Sequence, residues 1–413
     1  MTVTREISTD TIAIDTLASG IARSGRAGTA HRGALRAGAA LLAVIAIAGS
    51  VGCTGAAQAA VPPPVLYVSP TGTDLNTGLT TARPFRTIQH ALDLAQPGTT
   101  ISLGPGSYHE SVDTKIDGTA LAPITIRGTG AGTGNSAPAV TVYGTSHVFD
   151  IHHSYYKLDG FAINGQEALV GKTFPTTMSQ AVPFKDANQS VIVDSRPIYV
   201  SSNDPAGVVT NLTLSNMSVS ASGGECIRLR NTSNSTITNT VVSFCGLTAK
   251  QTDGTYLYHN GEGIYIGTSP KAGSPVDNSS NNVMTNNRIN TFGSECLDVK
   301  ENSHDNIFAG NDCGFNIEPA AYYGSNIELR GYHNTIDNNR ISQSASIGVK
   351  LKSDNAELGI GQNSVTRNTF VGQLGFTVRN EQTTLGTLCG NQFPVAATFY
   401  GTAASAASVG CPQ

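Results

Sequence analysis

Cations recur at one position of a repeated segment. Six short stretches align on their apolar residues: ECIRLR from Glu225, EGIYIG from Glu262, ECLDVK from Glu295, SNIELR from Ser325, IGVKLK from Ile347 and LGFTVR from Leu374. The sixth position then reads Arg230, Gly267, Lys300, Arg330, Lys352 and Arg379, and the fourth reads Arg228, Tyr265, Asp298, Glu328, Lys350 and Thr377. The third and fifth residues are apolar, so the fourth and sixth are expected on the outward face of a strand. Four consecutive cations stacked about 5 Å apart repel one another. Asp298 and Glu328 offset part of this, and a bound polyanion would offset the rest. The rival is a solvated salt-bridge ladder on a polar face.

Such a column suits cleavage of a uronate chain by β-elimination. That reaction needs a base for the proton beside the carboxylate and a cation for the developing enolate. Lys300 is the candidate base, Arg330 the carboxylate clamp and Lys350 a reserve base, with Arg228, Arg230, Tyr265, Asp298, Glu328, Lys352 and Arg379 as substrate contacts. A Lys base needs a lowered pKa, which neighbouring cations favour. The first positions stack Glu225, Glu262 and Glu295, which calls for a cation, a shared proton or backbone donors. Ca²⁺ is one answer, and turn amides are the other. Hydrolysis through an adjacent Asp pair and a Gly-His-Gly motif is not supported, because the chain has neither in that constellation. His152-His153 is expected at the surface rather than at a metal. A binding or structural protein with the same groove remains the non-catalytic reading.

The elements that carry these residues follow from periodicity. Apolar residues alternate, as in Ile227 and Leu229, Ile264 and Ile266, or Leu297 and Val299, which is the mark of a strand with one buried face. The segments begin 22 to 37 residues apart, with no helical pattern between them. That is a coil of β-rungs, so the fold expected is all-β, a right-handed parallel β-helix. A second column pairs an Asn with an apolar residue two places on: Asn239 with Val241, Asn287 with Ile289, Asn311 with Cys313, Asn339 with Ile341 and Asn368 with Phe370. Stacked Asn amides at a turn are the expected role.

Composition agrees. The 413 residues include 45 Gly and are 13% charged, which suits many turns and short strands. A net charge of −4 without a basic run in the later chain argues against nucleic acid as a partner. Residues 1–59 read as a leader: Arg23, Arg26, Arg32 and Arg36, an apolar run from Ala39 to Val51, then Ala57-Gln58-Ala59. Secretion is the expectation, with lipid anchoring through Cys53 as the alternative. Residues 60–64 form a Pro-rich spacer, and 65–413 the β-helix, a monomer without membrane contact after processing, most regular over 195–380. Six cysteines remain after cleavage. Cys226 and Cys296 share a column two rungs apart, about 9.6 Å, beyond the roughly 7 Å limit of a bridge. The pairs expected are Cys226–Cys245, Cys296–Cys313 and Cys389–Cys411, with buried free thiols as the alternative.

Residues 65–110 form a distinct cap region. A strand from Leu66 to Ser69, a helix from Thr87 to Ala95 stopped by Pro97-Gly98, and a strand from Thr100 to Leu103 are legible. The helix can cover the open end of a β-helix. YVSPTGTD followed by PFRTIQHALDLAQPGTTISLGPGSYHE resembles the N-terminal cap of secreted right-handed parallel β-helix proteins, family-nine polysaccharide (pectate) lyases among them. NGEGIYIGT and SECLDVKEN are similar to recurrent pieces of such proteins. The resemblance implies fold and secretion. In family-nine lyases a Lys is the base beside Ca²⁺ held by clustered Asp residues. Lys300 is the position most like that Lys, with Asp298 and Asp305 near it in place of a cluster. An acidic polysaccharide is the partner this implies.

Overall fold

The computed structural model describes residues 64–129, 139–248, 260–270, 275–318, 324–352, 361–373, 375–382, 384–401, 403 and 411. The leader, Cys53, most of the Pro-rich spacer and Leu374 lie outside the described residues. The described strands all belong to one compact unit, Ala60–Gln413.

Three long sheets of eleven, ten and nine strands run the length of this unit, with a two-stranded fourth, and every strand pair is parallel. Each turn of the coil contributes one strand to each long sheet, the arrangement of a right-handed parallel β-helix. Inward residues fill the bore: Ile227, Leu229, Ile264, Leu297, Val299, Ile327 and Val349 are buried. The cap helix spans Ile88–Asp93, inside the expected range, and Thr87 caps it by accepting from the His90 N–H. Ile88, Ala91 and Leu92 close the first rung.

The corners explain the Gly and Asn content. The eleven-stranded sheet passes to the nine-stranded one through a single left-handed residue: Asn216, Asn239, Asn286, Gly310, Asn338 and Arg367 all have φ between 50° and 67°. Gly and Asn visit this region at least cost. The next residue turns inward and builds the Asn ladder. Asn287, Asn311, Asn339, Asn368 and Asn391 each accept from the rung before at 2.8–3.0 Å. Val242 pairs with Ile289, so Thr240 and not Asn239 precedes Asn287 in the ladder. Asn239 is instead the left-handed corner residue, one place earlier. A second ladder, through Asn282, Asn306, Asn334 and Asn363 to Gln382, stands at the opposite corner of the same sheet.

All three expected disulfides are present, Cys226–Cys245, Cys296–Cys313 and Cys389–Cys411. Among the described residues no helix is long and apolar enough to cross a membrane.

Candidate functional site

The six aligned segments fall in the ten-stranded sheet, where five keep the expected register. Ile227, Ile264, Leu297, Ile327 and Val349 face one another in order. The sixth slips by two: Val349 faces Val378 rather than Phe376, and Lys350 faces Arg379. A slip of two preserves the in–out alternation, so periodicity cannot detect it. The basic column is therefore Lys300, Arg330 and Lys352 and then Glu381, and Arg379 belongs to the neighbouring column, bonded to Glu381.

Outward does not mean solvated here. Lys300, Asp298, Glu328, Lys350 and Tyr265 are all buried, and they line one cleft of about 290 Å³. Arg330, Lys352, Glu262, Glu295 and Glu318 complete its charged wall. Arg230 lies elsewhere, bonded to the Tyr199 hydroxyl (2.8 Å) and Thr268 (3.1 Å). Arg228 sits at the upstream edge, 4.1 Å over the Tyr265 ring. Tyr265 is held between that guanidinium and the Lys300 ammonium, 4.7 Å from its centroid. Its hydroxyl meets Ser269 Oγ at 3.1 Å.

The charges are paired within the wall. Lys300 Nζ bonds Asp298 Oδ2. Glu328 takes Arg330 Nε on one oxygen (2.6 Å) and Lys350 Nζ on the other (2.9 Å). Burial alone would raise Glu328, but Arg330 and Lys350 outweigh it and hold it at about 2. Burial is the largest influence on Lys300 and lowers it, as does Arg330, yet Asp298, Tyr265 and Glu328 together outweigh them and raise it. The expectation that neighbouring cations leave Lys300 depressed is thus corrected, since its carboxylate partner is nearer.

The Glu column also regroups. Glu225 is committed to Arg196 (2.5 Å) and Arg228, outside the cleft wall. The acidic trio that comes together is Glu262, Glu295 and Asp298, with one oxygen from each within 4.8 Å of the others. Glu262 Oε2 and Asp298 Oδ1 are buried with no hydrogen-bond partner. An all-oxygen donor set with two orphaned atoms fits a hard cation such as Ca²⁺. Without one, Glu262 and Glu295 are pushed toward their protonated forms. Burial, then Glu225, Glu295 and Asp298, raise Glu262 well above the usual range. Burial, then Glu328 and Asp298, push Glu295 up to about 7. Glu318, absent from the sequence-derived set, is pushed up to about 10 by burial and then by Glu295 and Glu328. It follows the strand Asp312–Asn316, in the nine-stranded sheet rather than the aligned one, so no repeat pattern singles it out.

The comparisons place this architecture. It is similar to the crystal structure of an alginate lyase from Paenibacillus sp. str. FPU-7, with a TM-score of 0.60 at 21% identity over 76% of this chain and 94% of that one. It is also similar to pectate lyase Pel9A, with a TM-score of 0.51 at 11% identity over 78% of this chain and 80% of that one. Likeness at this identity concerns the fold. The uncharacterized protein YwoF of Bacillus subtilis (strain 168) is 52% identical over 62 residues, 15% of this chain and only 13% of that protein's length. Residues 70–393 match the family described as protein of unknown function (DUF1565), which spans most of the chain, and the protein belongs to that family.

Proposed function

We propose that the protein is an exported carbohydrate-active β-helix that binds an acidic, uronate-containing polysaccharide in the Lys300 cleft and cleaves it by β-elimination. The observation that carries this reading is the cleft wall itself. Four cations, Lys300, Arg330, Lys350 and Lys352, converge there with carboxyls that burial and one another push toward the protonated form. Raising Glu262 and Glu318 lessens the negative charge of the wall, which then favours an anion, and a protonated carboxyl can donate a hydrogen bond to it. The folds of an alginate lyase and a pectate lyase are consistent with a polysaccharide ligand.

The residues divide the work as follows. Arg330 and Lys350, fixed by their shared Glu328, receive the uronate carboxylate and stabilise the enolate charge. Lys300, once neutral, takes the proton beside the carboxylate. Tyr265, whose phenol burial keeps protonated, donates to the leaving oxygen. The bond to the leaving oxygen breaks as the ring double bond forms, so proton, electron pair and leaving group balance. Where Glu262 and Glu295 give up their protons, their carboxylates and Asp298 would hold Ca²⁺, which when bound supplies further neutralisation of the substrate carboxylate in place of the neutral carboxyls. One observation favours binding without turnover: Asp298 keeps Lys300 charged in the free cleft.

Alginate, pectate and glycosaminoglycans, with and without Ca²⁺ at alkaline pH, separate the readings by the ultraviolet absorbance of unsaturated uronate product. Product that Lys300→Ala abolishes supports the lyase. Binding without product supports the module. Neither one on any polyanion discards the groove and leaves a salt-bridge ladder.

A further inference from the structure

Of the three stacked Glu residues, Glu225 alone stays out of the cleft wall, and it is fully buried. It precedes the strand Ile227–Leu229, and both its oxygens are in use. Oε2 accepts from Arg196 Nε, on the strand before, at 2.5 Å, and Oε1 accepts from Arg228 Nη1. A buried ion pair is by itself weak ground for stability, because desolvation takes back most of the attraction. Arg228 shows what else the arrangement does. Its Nε is buried without a hydrogen-bond partner. Such an orphan calls for a reason, and the ring on the next rung supplies one. Arg228 lies over the face of Tyr265, 4.1 Å from the centroid, while Lys300 Nζ stands 4.7 Å from the same centroid. Each cation has its own carboxylate, Glu225 for Arg228 and Asp298 for Lys300. The ring is thereby clamped, with its hydroxyl 3.1 Å from Ser269 Oγ.

We propose that Glu225 is a positioning residue of the cleft: through Arg228 it fixes the Tyr265 ring so that the phenol hydroxyl is aimed at the leaving oxygen. The role rests on the lyase reading, in which Tyr265 is the acid. Glu225 and Arg228 exchange no proton. The proton that the leaving oxygen takes comes from the Tyr265 hydroxyl alone, and the buried pair decides where that hydroxyl stands. Glu225 holds two guanidinium groups, so losing its charge frees Arg228 on the Tyr265 side and Arg196 on the other. Placement of this kind weighs heavily, because a shift of about 1 Å at a reacting group costs about 10²-fold in rate. The stacked carboxylate that looks like a metal ligand in the repeat is then a support for the acid.

The test is a double-mutant cycle on the full chain, read as uronate product. Glu225→Gln keeps the size of the side chain and removes the charge that holds Arg228. Its turnover should fall by about 10²-fold at nearly unchanged KM. Because the effect passes through the phenol, Glu225→Gln added to Tyr265→Phe should cost little beyond Tyr265→Phe alone. Additive losses mark a carboxylate that only supports its rung, and overturn the proposal. Glu225→Asp, too short to hold both guanidinium groups, is the second variant should Glu225→Gln fail to fold. A native protein that makes no product on any polyanion fails the lyase reading instead. The side-chain resonance of Arg228 then still decides the clamp. Over the Tyr265 ring it is shifted by the ring current, and the shift should vanish in either Glu225 variant as it does in Tyr265→Leu. A shift that survives the loss of Glu225 refutes the positioning role.

Discussion

At the scale of residues, Asp298 sets the state of Lys300. Removing the carboxylate charge removes the main influence that raises the ammonium pKa. If Lys300 is the base, activity rises with pH as the amine loses its proton. Asp298→Asn should then move that rise to lower pH, and a pH–rate profile reads it directly. A profile that stays in place excludes Lys300 as the base. Lys300→Ala should cost about 10²–10⁴ in turnover, the usual worth of a general base. Glu318 gives a stability prediction of definite sign. The unfolded chain releases its proton near the ordinary 4.5, whereas the folded protein keeps it to about 10. The folded state binds the extra proton between these values, so this contribution is full below about pH 4.5 and is lost as pH rises toward 10. Glu318→Gln cannot ionise, and its melting temperature should exceed that of the native protein by a margin that grows from pH 5 to pH 9. A constant margin would contradict the buried, proton-bearing carboxyl.

At the scale of elements, the Asn ladders tie rung to rung. Asn311 Oδ1 accepts from the backbone and side-chain nitrogens of Asn287 (2.8 and 3.0 Å), while its own amide donates to the Met284 carbonyl and to Asn339. Asn311→Ala strands these buried groups and should cost about 1–3 kcal/mol for each partner left unpaired. Asn239→Gly, at an exposed left-handed corner, should be nearly neutral. Chemical unfolding of the two variants checks the contrast. The ladder was legible in four of its positions, because Asn two places before an apolar residue recurs. Its first member was misplaced, since adjacent Asn residues at 286 and 287 play different roles and the pattern alone does not say which one turns inward. The second ladder carries the same pattern, with Asn282, Asn306, Asn334 and Asn363 each two places before an apolar residue, and only its ends change type, to Ser235 and Gln382.

At the scale of the whole molecule, the coil presents one continuous face. Rungs about 4.8 Å apart place the Asp150 rung about 14 Å from the Tyr265 rung, three steps along the sheet. The disulfides brace this coil locally. Cys226–Cys245 and Cys296–Cys313 each close a short loop within the run of cleft rungs. Loss of either bridge should cost about 3 kcal/mol, by restoring freedom to the unfolded chain. Thermal melts of the paired Cys→Ser variants measure it, and full alkylation of the native protein without reduction would contradict the bridges. Three bridges in one chain accord with export to an oxidising compartment. N-terminal sequencing of secreted material should begin near Ala60, and a lipid on Cys53 would instead show anchoring.

Features that depend on local alternation and spacing are legible in the residues alone. The parallel coil and the gathering of Lys300, Arg330 and Lys350 on one face follow from period-2 patterning, the cap helix around Ile88 from helical spacing stopped by Pro97-Gly98, and rung counting excludes a Cys226–Cys296 bridge while leaving free thiols as an alternative to the pairs observed. Features that depend on depth and on neighbours across rungs are set by the folded coil. It buried the supposedly open column, moved Arg379 aside by an undetectable slip of two, and took Arg230 and Glu225 out of the cleft. It brought Glu318 in from another sheet and set His152 against Asp150 and Asp113. Burial and partner identity set the charge of a side chain, and neither is a property of its position in a linear pattern.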